Sequence, residues 1–327
     1  MTRPRALVLR ALGLGDFLTG VPALRGLRRA LPAHELILAA PVQLRPLVEL
    51  SATVDRLLDT SGLAEPPWTG PAPEVAVNLH GRGPQSHRLL QRLGPGRLVA
   101  FARPEVGVDG PPWVADEHEV ARWVRLVEDS FDVRADRDDL RIDVPPQAPL
   151  VADAVVVHVG AASRSRRWPE ERFAVVARWA AEQGHRVALT GSPDEADIAV
   201  RVQRIAGLGV DTVLAGRTDL TELAALVAAA RLVVSGDTGV AHLASAYATP
   251  SVLLFGPTPP RRWGPPAAGP HTVIWHGQEV GDPGADDVDP ALLAVQPEEV
   301  VAGAAVRVRA GRQAPVRPAP RTTPASA

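Results

Sequence analysis

The chain contains no cysteine and no lysine, its single methionine is the first residue, and all 35 of its basic residues are arginine. Without cysteine there is no thiol nucleophile, thiolate zinc site, iron–sulfur cluster or disulfide, and nothing calls for an oxidising compartment. Without lysine there is no Schiff-base enzyme, no GxxxxGK[ST] phosphate loop and no kinase of the usual kind. Long apolar runs are also missing. The run at residues 6–9 stops at Arg10, too short for a signal-peptide core, and charge-free stretches such as 224–230 fall far below a bilayer span. Net charge is −2 and the pI about 6.5, so no basic field recruits nucleic acid. These absences predict a cytoplasmic protein with at most peripheral contact at the inner face of the membrane.

What is present is 327 residues, 46% hydrophobic and 22% charged, enough for about two domains of roughly 150 residues. Apolar runs at 6–9, 36–40, 54–58, 74–79 and 98–101 read as strands, alternating with helical patterns at 17–31, 44–49, 84–93 and 117–131. A Pro- and Gly-rich loop fills 62–73. The VPPQAP stretch at 144–149 continues no regular element and reads as a linker. Beyond it strands are expected at 154–159, 186–190, near Val213, 232–235 and 251–255, with helices at 170–183, 195–205, 220–229 and 240–246. Such alternation predicts α/β architecture with parallel sheets covered on both faces. The division is therefore 1–148, 149–305, and an Arg/Pro/Ala-rich tail at 306–327 that carries five arginines without an acid and is expected to be disordered.

Three clusters could carry chemistry. Gly13-Leu14-Gly15-Asp16 lies between a strand and a helix, where free amides can meet an anion. It is not a dinucleotide fingerprint, because Leu18 stands where the third glycine belongs and Ala40-Pro41 replaces the acidic residue after the second strand. Asp16 reads as a helix N-cap or as a general base at the carboxyl edge of a sheet. The second cluster runs from Gly160 through Ser163, Arg164, Arg166 and Arg167 to Pro169-Glu170, a helix start preceded by guanidinium groups suited to phosphate. The third, Ser235 to His242, again joins strand to helix. Amides at Thr238, Gly239 and Val240 could hold a pyrophosphate, Asp237 could take sugar hydroxyls or cap the helix, and His242 could face either way. Trp168 and Trp263 are consistent with packing alone. The triplets Asp136-Arg137-Asp138 and Asp287-Val288-Asp289 read as surface loops, and no His/carboxylate spacing makes a metal site.

Together these clusters resemble glycosyltransferase family 9, whose best-known members are the ADP-heptose:lipopolysaccharide heptosyltransferases. The likeness is carried, within residues 5–302, by VLRALGLGDFLTGVPALRGLRRALP, VVVHVGAASRSRRWPEERFAVVA and LAGRTDLTELAALVAAARLVVSGDTGVAHLASAYATPSVLLFGPTPPRRWGP. It implies a GT-B fold, two Rossmann-like domains facing across a cleft, the first on the acceptor side and the second binding the nucleotide sugar. It implies inverting, metal-independent transfer, foremost of heptose from ADP-heptose, to a hydroxyl of a lipopolysaccharide-core-like or other glycan, glycolipid or small-molecule acceptor. The donor would be a co-substrate, with no further cofactor and a monomeric enzyme.

Carried over by position, Asp16 is the base, with Gly13 and Gly15 shaping the acceptor-side loop. Gly160, Ser163, Arg166, Arg167, Gly216, Thr218, Asp237, Thr238, Gly239, Val240 and His242 fall on the donor side, Arg166 where the family usually has a phosphate-binding lysine and 216–218 near the nucleobase. Departures are Leu12-Gly13 in place of a serine pair, Gly236 in place of asparagine and Pro259 in place of aspartate. They leave the sugar and acceptor open. Two other readings stay open: a nucleotide-sugar epimerase of GT-B fold, and an inactive nucleotide-sugar-binding protein.

Overall fold

The computed structural model describes residues 3–311. The first half contains β1 (Arg5–Leu9), α1 (Leu14–Ala30), β2 (Glu35–Ala40), α2 (Arg45–Ser51), β3 (Arg56–Asp59), β4 (Val75–Asn78), α3 (Gln85–Gln91), β5 (Arg97–Val99) and α4 (Glu119–Phe131). Its strands form one parallel sheet in the order β3-β2-β1-β4-β5. No regular element occupies 144–149.

The second half contains β6 (Val155–His158), α5 (Glu170–Glu182), β7 (Val187–Thr190), α6 (Ala196–Ala206), α7 (Leu220–Ala229), β8 (Leu232–Gly236), α8 (Gly239–Ala246) and β9 (Ser251–Leu254). After them come α9 (Pro260–Trp263), β10 (His271–Ile274), α10 (Pro290–Ala294) and α11 (Pro297–Ala310). The second sheet is also parallel, ordered β10-β9-β8-β6-β7. Two doubly wound parallel sheets make this an α/β protein of the GT-B type. Crossover order reverses between β1 and β4 in one sheet and between β6 and β8 in the other, and ligands of open α/β sheets bind at such switch points.

β1 and β6, each paired on both sides, carry buried apolar runs: Ala6 to Leu9 and Val155 to Val157 are fully buried, as strands covered by helices on both faces must be. One apolar cluster runs across the two halves. It joins Leu18, Val21 and Leu24 of α1 to Val240, Leu243 and Ala244 of α8, and Leu47 and Val48 of α2 to Leu226 and Val227 of α7. The halves are thus seated on each other over helices, with the loops after β1, β6 and β8 at the seam.

Three expectations change. The strand near Val213 is reduced to a single parallel bridge with Leu189, preceded by a 3-10 turn at Val210–Thr212. Helix α1 begins at Leu14, because Gly13 takes the extended N-cap conformation. The tail does not begin at 306: α11 runs to Ala310, started by Pro297 and a reciprocal Gln296/Glu299 capping box. Val300 and Ala304 of α11 are buried, and Arg307 donates to Thr272 Oγ1 at 2.9 Å. The rest of the expected tail, 312–327, lies outside the described residues.

Candidate active site

The turn from β1 into α1 puts Asp16 in the first helical turn. The N-cap is Gly13, whose carbonyl accepts the N–H of Phe17 at 3.0 Å, so the N-cap reading of Asp16 is corrected. The Asp16 side chain is freed to face the seam between the halves, where it retains 30% exposure. Burial raises its pKa above the ordinary carboxylate value, Arg10 opposes this and Glu119 reinforces it.

Arg10, the residue after β1, is fully buried. Its Nε donates to the Asp16 carbonyl, its Nη1 to the Leu79 carbonyl, and its Nη2 to Thr19 Oγ1 at 3.0 Å and Glu119 Oε1 at 3.2 Å. A guanidinium with this many partners, centred 4.9 Å from the Trp123 ring, is a fixed charge in the fold.

Across the seam, the loop after β6 makes a 3-10 turn at Arg164–Arg166. Arg166 is held over it by Nε to Ser163 Oγ (3.1 Å) and Nη1 to the Asp237 carbonyl (3.3 Å). Asp237 follows β8 and is buried, and burial pushes its pKa up to about 6 against the pull of Arg166. Thr238 is the extended N-cap of α8, its hydroxyl 2.9 Å from Ser235 Oγ. His242, one turn on, has Nε2 4.0 Å from Asp237 Oδ1, and burial lowers its pKa to about 4. It is neutral at physiological pH.

The two helix starts touch. A β-carbon at Gly15 would lie 2.8 Å from His242 Cδ2, and one at Gly239 would lie 2.9 Å from the Leu14 side chain. Only glycine admits this approach. The result is a cleft of about 420 Å³ in which Gly13, Gly15 and Asp16 on one wall face Arg166, Asp237, Thr238, Gly239 and His242 on the other.

An adjoining hollow of about 420 Å³ is lined by Thr218, Val240, His158 and Glu195, and shares Leu14, Ala162, Thr238 and Gly239 with the cleft. Gly160 and Gly216 do not line either space but make room for the wall. A β-carbon on Gly160 would strike the Glu195 carboxyl, and Gly216 has φ +70° and packs on Pro193.

Arg167 departs from its expected place. Its Nε donates to the Ala161 carbonyl at 2.9 Å, and it lines a separate hollow with Arg164, Trp168 and Glu170. Succeeding Arg166 in an extended conformation turns its side chain to the other face of the loop.

The two tryptophans separate. Trp168 is 2% exposed, donates to the Val295 carbonyl and packs edge-on against Phe173. Trp263 instead lines the cleft with its ring 5.6 Å from that of His242, a role that sequence reading missed. Also missed were Glu195, Arg10 and Glu119. A charged residue directly after a buried strand was the available signal for Arg10; nothing local separated Glu119 from ordinary helix-surface acids.

At the rim, Asp116 meets Arg261 (3.1 Å) and Arg262 (2.7 Å), and His118 Nε2 lies 3.0 Å from the Gly264 carbonyl. Among the described residues no group of three or more His, Asp or Glu is placed to hold a metal ion, and no helix is long and apolar enough to cross a membrane.

A sequence model of glycosyltransferase family 9 (heptosyltransferase) matches residues 111–286, more than half of the chain. The chain is 38% identical over 221 residues to lipopolysaccharide heptosyltransferase 1 of Pseudomonas aeruginosa, covering 63% of this chain and 55% of that one. It is 33% identical over 113 residues to lipooligosaccharide heptosyltransferase 2 of Haemophilus influenzae, covering 34% and 32%. The aligned stretches therefore span about a third to just over half of these relatives' length. In three dimensions the Escherichia coli ADP-heptose lipopolysaccharide heptosyltransferase II superposes with a TM-score of 0.75 over 94% of this chain and 99% of that one, at 19% identity, a likeness of fold. With the GT-B architecture, the cleft at both switch points and the family match in agreement, the chain belongs to glycosyltransferase family 9.

Proposed function

We propose that the protein is an inverting glycosyltransferase that moves a sugar from a nucleoside-diphosphate donor to an acceptor hydroxyl without a metal. The observation that carries this is the opposition of Asp16, a carboxylate of raised pKa, to Arg166 and the α8 N-terminus across one cleft. Asp16 takes the acceptor hydroxyl proton as that oxygen bonds to the anomeric carbon. The bond from that carbon to the diphosphate breaks on the opposite face, and the nucleoside diphosphate leaves with the electron pair. One displacement of this kind inverts the anomeric centre.

The negative charge that develops on the leaving group faces the Arg166 guanidinium and the free N–H groups at the start of α8. The hollow beside the cleft, with Thr218 and Glu195 on its wall, is the place for the nucleoside. Asp237 is buried at the cleft wall and suits sugar or ribose hydroxyls.

The donor favoured is ADP-heptose, since the similar sequences are heptosyltransferases and the superposed enzyme is named for ADP-heptose. The acceptor class is a lipopolysaccharide-core-like glycan or glycolipid, reached from the cytoplasm. The test has two parts. A thermal-shift panel of nucleotide sugars identifies the donor, a cognate ligand at 100 times its Kd adding about 2.7 kcal/mol. Nucleoside-diphosphate release is then measured with and without acceptor. Release that depends on acceptor and produces a glycoside of inverted configuration supports the proposal; release or epimerisation without acceptor refutes it.

A further inference from the structure

We propose that Arg10 and Glu119 are positioning residues that set the basicity of Asp16, Glu119 by taking the Arg10 hydrogen bond and offsetting the guanidinium charge beside the Asp16 carboxylate. This rests on Asp16 being the base. The geometry is a competition for one nitrogen. Arg10 Nη2 lies 3.2 Å from Glu119 Oε1 and 3.9 Å from Asp16 Oδ1, so Glu119 takes the hydrogen bond while Asp16 keeps only a longer ion-pair contact. Glu119 is itself fixed: Trp123 Nε1 donates to its Oε1 at 2.6 Å and Arg122 Nη1 to its Oε2. Its side chain is 7% exposed and that of Arg10 is 0% exposed, so neither can swing to a different partner through solvent.

The backbone is held by the same group. Arg10 Nε binds the Asp16 carbonyl and Thr19 Oγ1 lies 3.0 Å from it, which fixes the first turn of α1 against the end of β1. Gly20 is needed beneath, because a β-carbon there would stand 2.9 Å from Arg10 Cδ and Nε.

A carboxylate paired directly with arginine is a weak base, since an opposite charge within 4–6 Å lowers an aspartate pKa by about 1–3 units. Glu119 offsets that charge without touching the substrate space. The other charged or titratable groups around this cluster are Asp237, Arg166 and His242 from the second half, His118 beside Glu119 at the start of α4, and His80 after β4, which senses Arg10. None of them is a hydrogen-bond partner of Arg10, so replacing Glu119 changes the field at Asp16 directly and by leaving the Arg10 charge without its hydrogen-bonded carboxylate.

The experiment follows the Asp16 carboxyl carbon by ¹³C NMR in the full-length protein without ligand, its signal assigned by loss in Asp16→Asn. Glu119→Gln should lower the Asp16 titration midpoint by about one pH unit, and Arg10→Gln should raise it by a similar amount. The double variant should titrate near wild type. If both single variants shift the midpoint in the same direction, or neither moves it, the inference fails. Should Arg10→Gln not fold, Glu119→Asp must give a smaller downward shift than Glu119→Gln, and no shift would overturn the idea equally. Transfer assays separate this from the underlying reading: the acid limb of kcat/KM must follow the NMR midpoint. Full activity of Asp16→Ala would instead refute Asp16 as base while leaving the measured coupling intact.

Discussion

The two walls of the cleft are built in different ways. The wall from the second half consists of strand–turn–helix junctions. There Asp237 and Thr238 lie one and two residues past β8, and Arg166, on the loop after β6, is held by Ser163 Oγ and the Asp237 carbonyl. The wall from the first half offers one carboxylate, supported by a buried ion pair whose members come from the end of β1 and the start of α4. On the proposed roles, binding the anion is thus a local property of the chain, whereas tuning the base is a property of the tertiary fold.

The sharpest way to break this contrast is Asp16→Ala. It should lower kcat by roughly 10²–10⁴ while donor-induced thermal stabilisation is kept, as loss of a general base predicts. A parallel loss of donor binding would show that the walls do not divide labour.

Acid should act mainly on the second half, where burial lowers the pKa of His158, His242 and His271 to about 4. Their folded pKa values lie below the unfolded value, so the stabilisation is present above pH 6.5 and is lost between about 6.5 and 4. For His242 alone this is on the order of 3 kcal/mol. Asp237, raised to about 6, works in the opposite direction, gaining stability as pH falls from 6 toward its unfolded value. Melting temperatures over pH 4–8 should therefore fall on the acid side, and Asp237→Asn should steepen the fall.

Arg166→Ala should raise the Kd of the nucleotide sugar about 10- to 100-fold, the loss of one charge-assisted bond of roughly 1.5–3 kcal/mol, read by calorimetry. Transfer at saturating donor should suffer less than in Asp16→Ala. Gly15→Ala places a methyl against His242 at the seam. It should cost about 1–3 kcal/mol of stability as overpacking, with weaker donor binding because both walls are displaced.

The smallest effect belongs to the rim. Asp116→Ala removes an exposed pairing with Arg261 and Arg262. The melting temperature should be almost unchanged, because the shared apolar cluster of α1 and α8 joins the halves. A large drop would move the main attachment from that cluster to the rim.

Legibility in the sequence followed the same division. The β1, β6, β8 and β9 runs, the glycine turns and the helix at Leu220–Ala229 were readable because apolar run and turn lie within one short window. Strand β10 escaped because its HTVI sequence is only partly buried. Helix α11 escaped because the small residues Ala302, Gly303, Ala304 and Ala305 give its two faces little contrast; in that helix only Val300 and Ala304 are buried. Asp16 and Arg166 could be named from their motifs. Their partners could not, since Arg10 and Glu119 stand 109 positions apart and meet only once α1 and α4 pack.

The touching first turns of α1 and α8 have an electrostatic consequence. Each carries the positive end of a helix dipole, so like partial charges face one another across the seam. An anion between them turns that repulsion into attraction on both sides and acts as mortar between the halves. For the proposed diphosphate, closure and occupancy are then thermodynamically linked: whatever draws the halves together tightens the anion's hold, and loss of the anion restores the repulsion and favours opening. Salt should loosen this linkage, since at about 0.15 M ionic strength exposed charges are screened beyond roughly 8 Å.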